Sequence, residues 1–404
     1  LCIFEILMIT NRNILCFSTP PWEADYASTT VQLMREMAKH NNVLFVNNPF
    51  TLKDVVDGLK KKKPVPVKKV FGLKERLKKI PVGNNHDVFV LTPPMVWSIQ
   101  FLSKGLVYNT MLRWNGFLVR RTVKRYLKQL GMQQDLIMLV AFNPTIGLEV
   151  GRRFNENLLL YLCYDEITTA PHLKKHGGWQ EQAFAKMADA TIVTSQGLYE
   201  RKHSLSKNCY LIKNAADFSL FNTGFNPELP QKKQVGFIGG IDRRLDYPLL
   251  EYLISNLPDV EFHFIGRIML PDGAALLQKY KNVIIAGPKN VTELPQYVKH
   301  FSVGIIPFRC SEFSKTVYPL KINEYLAAGI PVVTTNFGYL DEFKNIVSIA
   351  ENAEAFTAFV INEMQQDSLE KKRARQAVAR LNSWENRAEE FAQVITELEQ
   401  KKQP

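Results

Sequence analysis

The chain has 404 residues, of which 46% are hydrophobic and 22% charged, and its formal net charge is +12. That length exceeds one ordinary domain and fits two, while the composition excludes a disordered or fibrous protein and leaves enough apolar residues for sizeable cores. Five scattered cysteines, Cys2, Cys16, Cys163, Cys209 and Cys310, form no C-x-x-C pair, which argues against a disulfide framework or a zinc ribbon and for a reducing compartment.

The opening LCIFEILMI is apolar but contains Glu5 and lacks a basic flank and a small-residue cleavage site, so it makes a poor signal peptide. With Met8 close behind Leu1, the start itself reads as mis-assigned. No stretch approaches the roughly 18 to 20 apolar residues of a spanning helix, so any meeting with a membrane is expected at its surface.

From Asn13 to Ile212, short apolar runs alternate with helical periodicity. NILCFS, NVLFV, DVFVLT, DLIMLV, LLLYL, ATIVT and CYLI read as strands, and the segments from Ser28 to His40, Tyr108 to Lys128 and Gln180 to Met187 read as helices. Such βαβ repetition implies a parallel sheet covered on both faces. After the first strand, TPPWEADY carries Glu23, expected to face a cleft. Beyond LLLYL, YDEITTAP places Asp165 and Glu166 where a carboxylate deprotonates an acceptor hydroxyl, or simply caps a turn. His172 and His176 are spaced like metal ligands, but the lysines between them and the Gly-Gly that follows predict an exposed turn and no metal.

The pattern restarts after NTGFNPELPQKKQ, a passage of linker composition. VGFI, EFHFIG, NVIIA, SVGIIP and PVVTT are the strands of this second half. The final segment SWENRAEEFAQVITELEQ opens on Ser383 as N-cap with acids in its first turn, a separate helix. The fold class is α/β, two Rossmann-like domains facing across a cleft, with ligands at the carboxyl ends of the strands.

Charge is unevenly spread. Residues 51–130 hold 18 Lys/Arg against 4 Asp/Glu, a net +14 that exceeds the charge of the whole chain. A solvated face is one reading. However, VFGLKERLKKI interleaves apolar and basic residues at helical spacing, as does the stretch from Trp97 to Lys128 with Phe101, Trp114 and Phe117, and this favours an anionic membrane surface. No nucleic-acid-binding module is evident, and nucleic acid is not expected as a partner.

The chemistry concentrates in YPLKINEYLAAGIPVVTTNFG, Tyr318 to Gly338. Pro319 suits the first turn of a helix, Gly329 its left-handed terminator, and Pro331 stops it before a buried strand. A lysine in a helical first turn opposes the dipole, so Lys321 breaks a local rule that a bound phosphate would restore. Glu324, one turn on, has acceptors for sugar hydroxyls. The competing reading is a weak surface salt bridge between Lys321 and Glu324 at i, i+3. Upstream, Gly239 and Gly240 follow a strand and precede a helix, either as an ordinary tight turn or as a close approach of backbone N–H groups to a phosphate.

These motifs resemble those of GT-B glycosyltransferases, particularly family 4 and bacterial enzymes of the teichuronic-acid and polysaccharide type. PLKINEYLAAGIPVV resembles the family segment PLK-x-x-EYLA-x-G-x-PVV; KNAADFSLF resembles N-G-V-D-x-x-x-F, placing Asn214, Asp217 and Phe221; VGFIGGIDRR resembles the glycine-rich loop of the nucleotide domain; ADATIVTS resembles the strand closing the first domain. The resemblance implies that Glu324 binds the donor ribose and Lys321 the diphosphate, with Gly239, Gly240 and Arg243 or Arg244 beside them and Asp246 nearby. It also implies an acid in the neighbourhood of Asp165. A departure is Thr316, which stands eight residues before Glu324 where family 4 commonly has a second glutamate.

The implied domains are residues 10–230, an acceptor domain with the linker; 231–382, the nucleotide-sugar domain; and 383–404, a helix crossing back to the first domain. The implied function is transfer of a sugar from a UDP- or GDP-linked donor to a lipid-linked or polysaccharide acceptor, by a retaining, metal-independent hexosyltransferase. It would need no cofactor and would act at the cytoplasmic face of the plasma membrane. Alternatives are a non-catalytic GT-B protein that binds a sugar nucleotide or a partner, and a nucleotide-sugar epimerase.

Overall fold

The computed structural model describes residues 8–23, 28–60, 62, 64–83, 86–169 and 173–402; most of the opening LCIFEILMI, and His172, lie outside the described residues. Two compact units divide the chain: Leu1–Lys213 with Arg387–Pro404, and Asn214–Asn386. Among the described residues, no helix is long and apolar enough to cross a membrane.

The first unit begins with β1 (Asn13–Ser18), α1 (Thr29–Ala38), β2 (Asn42–Asn47), α2 (Leu52–Leu59), α3 (Val67–Val70), β3 (Leu77–Gly83), β4 (His86–Leu91) and α4 (Leu106–Gln129). It continues through β5 (Leu136–Ala141), α5 (Pro144–Val150), β6 (Leu158–Cys163), α6 (Gly177–Met187), β7 (Ala190–Val193), α7 (Gln196–Lys202) and β8 (Cys209–Leu211). The sheet order is β3-β4-β2-β1-β5-β6-β7-β8, parallel except for the β3–β4 pair. Central strands LIMLVA and LLLYLC are buried at every position, as continuous apolar runs must be when helices cover both faces of a sheet.

The expected helix after residue 70 is not formed. VFGLKERLKKI does not continue as a helix: α3 closes a single turn, Gly72 reverses the chain at φ +75°, and LKKIPVG forms the antiparallel edge strand β3. Its residues suit an edge, since exposed Lys78, Lys79 and Pro81 discourage pairing with another chain. Glu23 is exposed and ion-pairs with Lys78 of this strand.

The second unit comprises α8 (Phe218–Asn222), β9 (Gln234–Ile238), α9 (Tyr247–Asn256), β10 (Glu261–Ile265), α10 (Pro271–Leu277), β11 (Val283–Gly287) and α11 (Leu294–Val298). After these come β12 (Val303–Ile306), α12 (Leu320–Ala327), β13 (Val332–Thr335), β14 (Ser348–Ala350), α13 (Ala353–Gln365) and α14 (Leu369–Leu381). Its sheet, β11-β10-β9-β12-β13-β14, is wholly parallel. Chain progress reverses direction between β9 and β12, the switch point at which open α/β sheets present their crevice. Phe237, Phe262, Phe264, Phe301, Phe337 and Phe343 fill the core around it.

The last helix, α15 (Trp384–Gln400), starts in the second unit, where Ser383 Oγ accepts from Asn386 N at 3.4 Å, and from Arg387 onward belongs to the first. There Phe391, Ile395 and Leu398 are buried. Arg12 pairs with Glu399, Tyr210 donates to Glu397 at 3.0 Å, and Lys402 lies 2.9 Å from Asp189.

Candidate functional site

Helix α12 carries the first two candidate residues. It starts at Leu320 with Pro319 as its N-cap residue and no side-chain cap. At its far end Gly329, at φ +75°, closes a Schellman motif: Ile330 N donates to Tyr325 O and Gly329 N to Leu326 O, each at 2.9 Å. Lys321 is thereby the second helical residue and Glu324 one turn on, beyond the carboxyl end of β12.

Beyond the carboxyl end of β9, Gly239 turns the chain at φ +149°. A Cβ there would stand 2.5 Å from Lys321 Cε and 3.3 Å from its Nζ, so the lysine can lie across this turn only because the side chain is absent. Gly266 at φ +158° does the same for the neighbouring strand, where a Cβ would fall 1.9 Å from Gly239 O. Among the described residues, the N–H of Gly240 makes no hydrogen bond.

Lys321 is half-buried and, among the described residues, makes no hydrogen bond or ion pair. Burial is the main force lowering its pKa; Glu324 opposes this, Arg244 adds to it, and Asp242 opposes it. Glu324 is only 8% exposed and likewise has no hydrogen bond or ion pair among the described residues. Burial pushes its carboxyl up to about 7, with Lys321 counteracting and Asp217 reinforcing. The i, i+3 salt bridge is therefore not made, and two ionisable groups stand close together without neutralising each other by contact.

Arg244 and Arg243 diverge. Arg244 donates to Asp242 Oδ1 at 3.0 Å and Oδ2 at 2.6 Å, with its guanidinium 5.3 Å from the Phe308 ring, whereas Arg243 is exposed. Burial disfavours the Asp242 carboxylate, but Arg244 outweighs it and holds the pKa below the usual range. Asp246 caps α9 by accepting from Leu249 N at 3.2 Å. Asp217 caps α8 and Phe221 is buried in the core. Thr316, 2% exposed, spends its hydroxyl on Phe313 O at 2.7 Å. Sequence reasoning missed Asp242, Gly266 and Tyr325. The signal for the first was the charge-alternating IDRR directly after the glycines.

In the first unit, Asp165 follows β6 and its Oδ1 accepts from Glu166 N at 2.8 Å, a local turn contact. Glu166 is buried and bound to Lys202 Nζ at 3.1 Å, and Lys202 also reaches Glu181 at 2.6 Å. Burial works against the Glu166 carboxylate, yet Lys202 and Thr168 hold its pKa below the usual range. The ion pairs anchor the segment that carries Asp165. His176 corrects the expectation of an exposed turn: it is 2% exposed, stacked 4.3 Å from Tyr108 with Nε2 3.0 Å from Leu102 O, because the Gly-Gly pair opens α6. Among the described residues, no group of three or more His, Cys, Asp or Glu could hold a metal ion.

Residues 232–366 match the family described as glycosyl transferases group 1. Over 137 residues the chain is 32% identical to the putative teichuronic acid biosynthesis glycosyltransferase TuaH of Bacillus subtilis (strain 168), a match that spans 31% of this chain and about a third (34%) of that protein. Among solved structures, sucrose-phosphate synthase from Thermosynechococcus elongatus superposes with a TM-score of 0.66 at 18% identity, over 96% of this chain and 99% of that one. TarM gives 0.62 at 13% identity, and OtsA 0.61 at 13%, each over 96% of this chain and 99% of the other.

The fold is GT-B. Within this GT-B chain the family match runs from β9 to the end of α13, so it contains Gly239, Gly240, Arg243, Arg244, Lys321 and Glu324 together.

Proposed function

We propose that this chain is a glycosyltransferase that moves a sugar from a UDP- or GDP-linked donor to a lipid-linked or polysaccharide acceptor at the cytoplasmic face of the plasma membrane. The observation that carries the reading is the unpaired Lys321 lying across Gly239 at the sheet's switch point. The ammonium belongs to the first turn of a helix and lies across Gly239, next to which the Gly240 N–H makes no hydrogen bond among the described residues, and an ammonium, a helix N-terminus and an unbonded N–H all attract a diphosphate. Unpaired Glu324 accepts from the ribose hydroxyls, and Arg243 or Arg244 supplements the positive charge.

In the reaction, the bond between the anomeric carbon and the diphosphate oxygen breaks and the acceptor oxygen bonds to that carbon. The acceptor proton passes to Asp165, assigned here as the base, and the nucleoside diphosphate leaves against Lys321. Retention at the anomeric carbon, which requires the acceptor oxygen to bond on the face that the diphosphate vacates, and independence of metal belong to the same proposal. The first unit takes the acceptor, and its basic, aromatic surface meets the anionic leaflet.

Incubation with radiolabelled UDP- and GDP-sugars and a membrane lipid extract tests this. The expected outcome is label transferred to lipid or polymer from one nucleotide class, undiminished by EDTA. Nucleotide binding without transfer or hydrolysis would replace the reading with a non-catalytic sugar-nucleotide binder, and interconversion of the free sugar nucleotide with an epimerase.

A further inference from the structure

The β9–β12 ladder is short. Only Val235 with Val303 and Gly236 with Gly304 are in register, and the two strands part company just before the Gly239 turn. Where the next rung would stand, the hydroxyl of Tyr325 takes its place. It accepts a hydrogen bond from Ile238 N at 2.8 Å and lies 3.4 Å from Gly236 O, to which it donates. Tyr325 is fully buried, and its ring passes over Gly304, where a Cβ would meet Tyr325 Cγ at 2.7 Å. Three glycines thus serve one geometry: Gly304 admits the ring, Gly239 admits Lys321, and Gly266 admits the Gly239 carbonyl.

We propose that Tyr325 is a positioning residue for the anion site, holding the end of β9, and with it the Gly239–Gly240 turn, at a fixed distance from Lys321. Tyr325 is one helical turn from Lys321 on α12 and directly follows Glu324, while its hydroxyl is bonded to the residue that precedes Gly239. The inference rests on the diphosphate reading given above, but not on Tyr325 touching the ligand.

The test compares wild type, Tyr325→Phe and Gly304→Ala by titration with UDP and UMP, and with GDP and GMP. Tyr325→Phe keeps the ring and removes only the hydroxyl, and Gly304→Ala keeps the hydroxyl and displaces the ring. Because Tyr325 governs the phosphate-binding turn, either variant should weaken the diphosphate roughly ten-fold while changing monophosphate affinity less than two-fold, thereby shrinking the preference for diphosphate. A purely structural role would lower the melting temperature and scale both affinities alike. If Tyr325→Phe binds both ligands as wild type does, or loses them in equal proportion, the positioning role is overturned. Should Tyr325→Phe fail to fold, the same ratio is read from Gly304→Ala. Wild type that binds neither diphosphate would remove the donor-site reading, and this inference with it; wild type that binds while the variants keep its preference overturns this inference alone.

Discussion

Glu324 and Lys321 are one turn apart on α12, and neither makes a hydrogen bond or ion pair among the described residues. A group that is buried, ionisable and unpaired is expensive to keep, so its retention points to something outside the chain that satisfies it. The consequence for Glu324 is measurable without any ligand. Its folded pKa of about 7 lies above the ordinary glutamate value of about 4.3, so at low pH both folded and unfolded forms carry the proton and the residue costs little. As pH rises between those values the unfolded chain ionises first, and the folded state loses stability, on the order of a few kcal/mol by pH 7. Glu324→Gln removes this loss. Melting temperatures recorded from pH 4 to 8 should therefore diverge above about pH 5, with wild type falling relative to the variant; parallel curves would show that Glu324 ionises normally in the folded protein. Lys321 as a residue was legible because it violates the dipole rule, and Glu324 because of its spacing. Tyr325 was not, since nothing in the string INEYLA tells a core tyrosine from one that replaces a ladder rung 87 residues away in sequence.

Elements were legible where their pattern was long or fully apolar. Strands such as LIMLVA and LLLYLC, and the 24-residue α4, announce themselves, because continuous apolar runs and sustained 3.6 periodicity have few competing folds. Short edge elements do not: LKKIPVG holds too few residues to reveal its period, and β14 spans three. Helix α4 carries a prediction of its own. It exposes Leu106, Val107, Trp114 and Phe117 beside Arg113, Arg121, Lys124, Arg125 and Lys128, and the Trp114 and Phe117 rings lie 5.7 Å apart. Indole and phenyl rings flanked by guanidinium and ammonium groups suit an anionic lipid surface, at about 1 kcal/mol per basic residue close to the headgroups. Flotation with anionic liposomes should show binding that weakens as salt is raised. Equal binding to neutral liposomes would contradict the electrostatic account.

At the scale of the molecule, the α/β class was legible from the repeated strand–helix alternation and the GT-B fold from the ordered motifs, whereas the passage NTGFNPELPQKKQ does not mark the division between the units, which falls earlier, after Lys213. Less legible was how the glycines serve the site, because a glycine in a sequence does not say which neighbour needs the room: Gly239 makes way for Lys321 and Gly266 for a carbonyl. The central claim is that the second unit binds a nucleoside diphosphate through Lys321. Calorimetric titration of wild type and Lys321→Ala with UDP and GDP, paired with melts of the ligand-free proteins, tests it most directly. Since Lys321 has no partner among the described residues and opposes the helix dipole by about 0.3 to 1 kcal/mol, the variant without ligand should be as stable as wild type or slightly more so. Loss of a charge-assisted contact, about 1.5 to 3 kcal/mol, should weaken diphosphate binding roughly ten-fold or more. A Lys321→Ala protein that is less stable when empty yet binds UDP or GDP as tightly as wild type would contradict the account.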